Sequence, residues 1–206
     1  MKENLRTTKY PDGTSILYGP NYSPTTSTTI GYYYHANNNS SNDATYGLQY
    51  NWTAAMNNSL SSSNIPSGVQ GICPTGWHLP SQAELNNLLT YINIGFYSCN
   101  GTATYSAKAI ASTANWTSYS GNSCYVGYDL SSNNASGFSL QPAGRYYYGG
   151  YTDSFKTMAT LWSTSTYNTT RGYCLYILNS STTPTIASST TYAQLSTGHS
   201  VRCLKD

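Results

Sequence analysis

The sequence predicts an α+β domain with one strong amphipathic helix, at about 81–94, short antiparallel strands and long polar loops. Three observations carry this. The segment from Ser81 has the cap and the apolar spacing of a helix, with Leu85, Leu88, Leu89 and Ile92 recurring every three or four residues. The rest of the chain breaks into short apolar-alternating runs separated by Gly, Ser and Asn turns. None of the five cysteines stands in a Cys-x-x-Cys pair. At 206 residues the chain can bury a real core, and no internal repeat divides it, so residues 1–206 read as one domain.

Residues 1–18 carry a turn signal at Pro11-Asp12-Gly13, which fits a strand, a turn and a second short strand. From Asn21 to Asp43 the composition shifts to Ser, Thr and Asn around Tyr32-Tyr33-Tyr34, the pattern of a long ordered loop pinned by its tyrosines. Between Tyr46 and Met56, Leu48, Tyr50 and Trp52 alternate before Ala54-Ala55-Met56, so strand and helix compete. A polar linker follows from Ser59 to Gly71. Ser81 and Glu84 make the reciprocal capping box of the helix, which Gly95 can stop. Later strands are expected at Ser136–Leu140, Arg145–Tyr148, Ala159–Ser163, Gly172–Leu178 and His199–Leu204.

Composition narrows the function classes. Charged residues make up only 8% of the chain, whereas Ser, Thr and Asn dominate and tyrosine occurs 22 times. Polarity without charge is how secreted and surface proteins rich in β structure stay soluble. The 14% aromatic content supplies a core that a disordered polar tract lacks. A net charge of +2 with no basic run leaves no electrostatic footprint for nucleic acid. No apolar stretch reaches the roughly 20 residues of a membrane span, and no signal peptide is visible at the start. Cysteines without metal or redox spacing read as disulfides of an oxidising compartment. A bridge from Cys99 to Cys124 would close a Ser/Thr/Gly-rich excursion, and one from Cys73 to Cys203 a much longer loop. Cys174, in an apolar run, is the cysteine left over.

Several motifs then stand in order along nearly the whole chain: Asn4-Leu5-Arg6 with Asp12-Gly13-Thr14, Tyr46-Gly47 with Tyr50-Asn51-Trp52, and Cys73-Pro74-Thr75-Gly76-Trp77-His78-Leu79-Pro80. They continue with Ser136-Gly137-Phe138-Ser139, Pro142-Ala143-Gly144, Leu161-Trp162-Ser163 and Ser200-Val201-Arg202-Cys203. The series resembles the Fibrobacter succinogenes major paralogous domain. The resemblance implies an exported domain, common in lipoproteins and surface proteins of Bacteroidetes and Fibrobacteres, with a fold similar to C-type lectins and to the formylglycine-generating enzyme group. In that family the Asn-Leu-Arg segment usually follows a Trp-Met pair. The resemblance therefore also implies that Met1 is an interior residue reused as a start, with a first strand and an export signal lost upstream, and an upstream lipid anchor as one means of attachment. It implies no activity. The excursion between Cys99 and Cys124 and the cysteine at 174 depart from the family pattern.

Catalysis needs titratable groups, and the chain has seven carboxylate side chains and three histidines, His35, His78 and His199, with no spacing that predicts shared work. The reading is therefore not an enzyme, with no cofactor and no metal. The Glu-Pro-Asn and Trp-Asn-Asp signatures of sugar-binding C-type lectins are absent, and so is the close cysteine pair of formylglycine-generating enzymes. His78 is read as a structural lock, hydrogen-bonded to a loop carbonyl at the approach to the helix. Trp52, Trp77 and Trp162 are read as core.

The binding candidates are Arg145, Tyr146, Tyr148, Tyr151, Asp153, Tyr167, Asn168, Arg171 and Tyr173. Tyrosine offers large amphipathic contact at low entropy cost, and Ser, Gly and Asn adapt their hydrogen bonds around it. Alternation in a strand, with every second tyrosine packed inward, fits the same residues, and both readings stay open. The expectation is an extracellular or outer-surface recognition or adhesion module. It would bind a glycan or protein ligand on another cell or surface. Two alternatives are a structural tip or stalk subunit of a surface fibre, and a lectin-fold scaffold diversified near its C-terminus.

Overall fold

Short apolar runs cut by polar turns cannot build one wide sheet, and the described residues form four small ones instead. The computed structural model describes residues 1–19, 29–94, 96–147, 151–187 and 193–206, with the Tyr151 side chain outside that description. Strands β1 (Leu17–Tyr18), β2 (Tyr32–His35) and β3 (Leu48–Tyr50) form a sheet in which β1 and β2 run parallel and β2 and β3 antiparallel. β4 (Trp77–His78) pairs antiparallel with β10 (Leu204–Lys205), and β5 (Arg145–Tyr147) with β6 (Tyr151–Asp153). The largest sheet is antiparallel, β7 (Met158–Thr166), β8 (Gly172–Leu178) and β9 (Thr185–Ala187).

Four short helices accompany these sheets among the described residues: α1 (Asp43–Tyr46), α2 (Trp52–Met56), α3 (Gln82–Ile92) and α4 (Ala107–Ile110). This corrects the expected fold class. α3 carries the Ser81–Glu84 capping box, but of its apolar stripe only Leu85 and Ile92 are buried, while Leu88 and Leu89 pack from the edge. It spans 11 residues and is one element among small mixed sheets, so it does not organise the domain as one strong helix would. A parallel pair stands among the antiparallel ones, and the arrangement is not clearly C-type-lectin-like.

Other local expectations resolve by identifiable causes. Tyr46 to Met56 becomes β3 and then α2 because the Asn51 carboxamide oxygen accepts from Ala54 N at 3.0 Å, capping the helix, and from Tyr32 N at 2.9 Å. Tyr32 to His35, expected in a loop, pairs as a strand with Tyr32 and Tyr34 buried. Residues 21–28 of that stretch, and Gly95, lie outside the described residues. Ser136–Leu140 is not a strand, since Gly137 and Ser139 both take positive φ and only Leu140 bridges to Ala111. His199–Leu204 reaches strand geometry only at Leu204, after isolated bridges at His199 and Ser200.

The β7–β8–β9 sheet separates two apolar clusters, as strand alternation requires. Trp162, Cys174 and Ala187 face Leu48, Tyr50, α2 and the Cys73–Cys203 disulfide. Leu161, Leu175 and Ile186 face α3, α4, Trp116 and Leu140. β7 is therefore buried on both faces, and its polar residues bury only because each hydroxyl finds a partner. Thr164 and Ser165 both donate to Ser62 O at 2.8 Å, and Ser163 to Tyr173 O at 2.8 Å.

Chain ends and middle meet around Cys203. The disulfide to Cys73 adjoins the β4–β10 pair, and the Met1 amine donates to Cys203 O at 2.7 Å. Beside it Arg202 is buried, which brings its pKa down to about 10. Its guanidinium donates to Asn4 Oδ1 at 2.8 Å, to Ser139 O at 2.8 Å and to Phe138 O. The Ser-Val-Arg-Cys motif is thus a clasp joining three distant segments.

Candidate functional site

The structure divides the tyrosine-rich candidates in two. In the β5–β6 ribbon Arg145 lies directly opposite Asp153, and its Nε and Nη2 donate to Asp153 Oδ2 at 3.1 and 2.8 Å. Burial raises the Asp153 pKa, but the guanidinium and the Ser154 hydroxyl outweigh it and hold the carboxyl below its usual range. Arg145 is itself buried and lies over the Tyr147 ring, 4.3 Å from the centroid. Tyr146 is fully buried, stacked on Tyr34 at 3.7 Å between centroids, and donates its hydroxyl to Gly19 O. Arg145 and Tyr146, expected in a binding loop, are closed off from solvent and offer a ligand no surface, whereas Asp153 stays partly exposed beside Arg145. Tyr148 and the side chain of Tyr151 lie outside the described residues.

The β7–β8 hairpin tip is different. Tyr167, at 51% exposure, meets Tyr173 edge-on at 6.1 Å. The loop beneath is fixed by its own polar groups. Asn168 Oδ1 accepts from Thr170 N at 2.9 Å and Thr170 Oγ1 at 3.1 Å, and Tyr167 N donates to Arg171 O at 2.8 Å. Arg171 bridges to Gln194, and Leu195 N donates to Thr170 O, so a second segment supports the tip from below. Tyr167, Asn168, Arg171 and Tyr173 therefore come together, with the tip presented to solvent and its backbone held.

One convergence was missed by sequence reasoning. His78 Nδ1 lies 2.6 Å from Asp206 Oδ1 and Nε2 lies 2.9 Å from Glu84 Oε1, so this histidine is locked by two carboxylates and not by a loop carbonyl. Glu84 Oε2 also accepts from Ser81 N, completing the cap. The trio lines a cavity of about 660 Å³ with Ile65, Trp77 and Leu204. With both ring nitrogens engaged, the imidazole is arranged as a charged tie between α3 and the β10 end of the chain. The only local signal was Glu84 six residues after His78, and capping already explained it. His35 pairs with Asp43 at 2.9 Å, and His199 is buried against Thr160 Oγ1 at 2.8 Å. Among the described residues no group of three or more His, Cys, Asp or Glu side chains is placed to hold a metal ion.

Burial, the largest single influence on His78, lowers its pKa, but hydrogen bonds and charge from Asp206 and Glu84 outweigh it and the net shift is upward from 6.5. A raised folded pKa contributes stability that is fully present below the unfolded value and lost as pH rises through the folded one. The melting temperature should therefore fall across that window, and the His78→Gln variant should not show this component. The partly buried Met1 amine shifts the opposite way, so the difference between wild type and variant is the measurement. A pH-independent difference would remove the charged-tie assignment.

The two disulfides bind Cys73 to Cys203 and Cys99 to Cys124, while Cys174 stays a buried thiol that burial pushes up to about 12. Two such bridges point to an oxidising, extracellular setting, and no helix among the described residues is long and apolar enough to cross a membrane. The class is thus a two-disulfide domain of small mixed sheets, with its ends clasped to its middle. A family model described as the Fibrobacter succinogenes major domain matches residues 1–205, and the chain belongs to that family. Comparison with curated proteins and with solved structures gave no match.

Proposed function

We propose that the domain is a recognition module on the outer cell surface, binding a glycan or protein ligand through the β7–β8 hairpin. The observation that carries this is the paired Tyr167 and Tyr173 on a loop whose backbone is already held by Asn168, Thr170 and Gln194. An exposed aromatic on a fixed loop loses little conformational freedom on binding, so more of its contact energy appears as affinity. The low content of charged residues and the two disulfides support an exported setting.

The test is a glycan array and a panel of host surface proteins probed with the whole chain and with Tyr167→Ala, Arg171→Ala and Tyr173→Ala. Tyr167→Ala should weaken any ligand found by tenfold or more while moving the melting temperature by no more than a few degrees. Full binding by all three variants would end this reading.

A further inference from the structure

A second set of exposed aromatics lies beside the Cys99–Cys124 excursion, among residues distinct from the hairpin. Phe96 is 85% exposed and Tyr128 54%, large values for such rings, and Tyr97 meets Phe96 edge-on at 5.2 Å. These three rings line a cavity of about 390 Å³ together with Asn100, Lys108 and Asp129. That volume falls within the roughly 300–1,000 Å³ of small-ligand pockets.

The polar part of the lining is unusual for this chain. Lys108 is only 6% exposed, in a protein with few charges of any kind. Its Nζ donates to Asp129 O at 2.8 Å and to Tyr125 O at 3.1 Å, which uses two of the ammonium's three protons. Burying a lysine costs free energy, as its lowered pKa shows, and two carbonyls offset that cost only in part. Asp129 Oδ1 accepts from Ser131 N and Oγ, and its carboxylate is an acceptor at the rim of the cavity. The two sides of the cavity are joined by the Cys99–Cys124 disulfide and by Asn100 Nδ2 donating to Ser123 Oγ at 3.1 Å. The two sides are therefore fixed relative to one another.

We infer that this cavity is a binding site for a neutral saccharide. A pyranose has an apolar C–H face and a rim of hydroxyls. Phe96 and Tyr128 line the cavity with exposed aromatic surface suited to the former, while the Lys108 donor and the Asp129 acceptor suit hydroxyls that both donate and accept. One cation and one anion in the lining leave no net charge to select an acidic ligand.

The test uses the whole chain with neutral gluco-, manno- and galacto-configured tetrasaccharides, and an oligogalacturonate as the acidic control, by calorimetry and saturation-transfer NMR. At least one neutral tetrasaccharide should bind saturably. Phe96→Ala and Tyr128→Ala should each weaken it tenfold or more with the melting temperature unmoved, and Lys108→Met should abolish it. If Lys108→Met does not fold, the two aromatic variants decide. No binding of any neutral probe, wild-type binding by both aromatic variants, or preference for oligogalacturonate would overturn the assignment. Loss on Tyr167→Ala with Phe96→Ala unaffected would also overturn it, and would give the saccharide to the hairpin instead.

Discussion

Replacing Cys73 and Cys203 together by alanine will lower the unfolding free energy by about 5 kcal/mol on loop entropy alone, since the bridge joins residues 130 apart in sequence. For a domain whose total stability is on the order of 5–15 kcal/mol, that removes a third or more of the margin. The structure gives reason for a loss at least this large. Both cysteines are fully buried in the cluster that holds Trp162, and the contacts of Met1, Asn4 and Arg202 depend on the tail lying where the bridge puts it. Removing Cys99 and Cys124 in the same way should cost about 3.5 kcal/mol for a separation of 25 residues, and should disturb only the excursion. Guanidinium unfolding of the two double variants measures the order. Equal losses, or a larger loss for the excursion, would mean that the clasp at Cys203 is held by packing and not by the covalent bond.

What the sequence made legible was local or covalent. Ser81 and Glu84 are three residues apart and cap one helix whatever the surroundings, so the box could be read directly. Membership of the family was carried by motifs that fix backbone, such as the turn at Gly76 and the clasp at Arg202, and these survive a composition dominated by Ser, Thr and Asn. The sheet arrangement was not legible, because β1 and β10 are two residues long and owe their pairing to distant partners. The abundance of asparagine concealed a backbone role. Asn37, Asn57, Asn100, Asn115 and Asn134 all take positive φ, which asparagine tolerates better than most side chains. The meeting of His78 with Asp206 spans 128 residues and depends on the β4–β10 register, which no spacing rule reports. The cavity at Phe96 was hidden for a related reason: its sides come from segments far apart in sequence that meet through a disulfide and a few long-range hydrogen bonds.

Tyr146→Ala should destabilise the domain by about 4 kcal/mol, in the range of fully buried aromatic truncations, whereas Tyr167→Ala should change stability by about 0.5 kcal/mol or less. Both tyrosines stand in tyrosine-rich stretches that read alike, and period-two alternation says that one face packs inward without saying which. The environment decides. Tyr146 loses its stacked partner Tyr34, its hydrogen bond to Gly19 O and every contact around a side chain with no exposure. The space it leaves cannot close easily. Gly198 lies so near the stacked pair that a Cβ there would come within 2.7 Å of Tyr34 and 2.8 Å of Tyr146, and its backbone is already bonded to Tyr146 in both directions. Tyr167 loses one edge contact to Tyr173 and otherwise gives its place to water. Paired denaturant titrations and binding assays on the two variants therefore separate architecture from recognition. Tyr146→Ala should fail by unfolding, and Tyr167→Ala should fail, if at all, as a folded protein that no longer binds. A stable Tyr146→Ala variant with impaired binding would return the β5–β6 ribbon to the binding surface and displace the hairpin as the sole candidate of the tyrosine-rich segment.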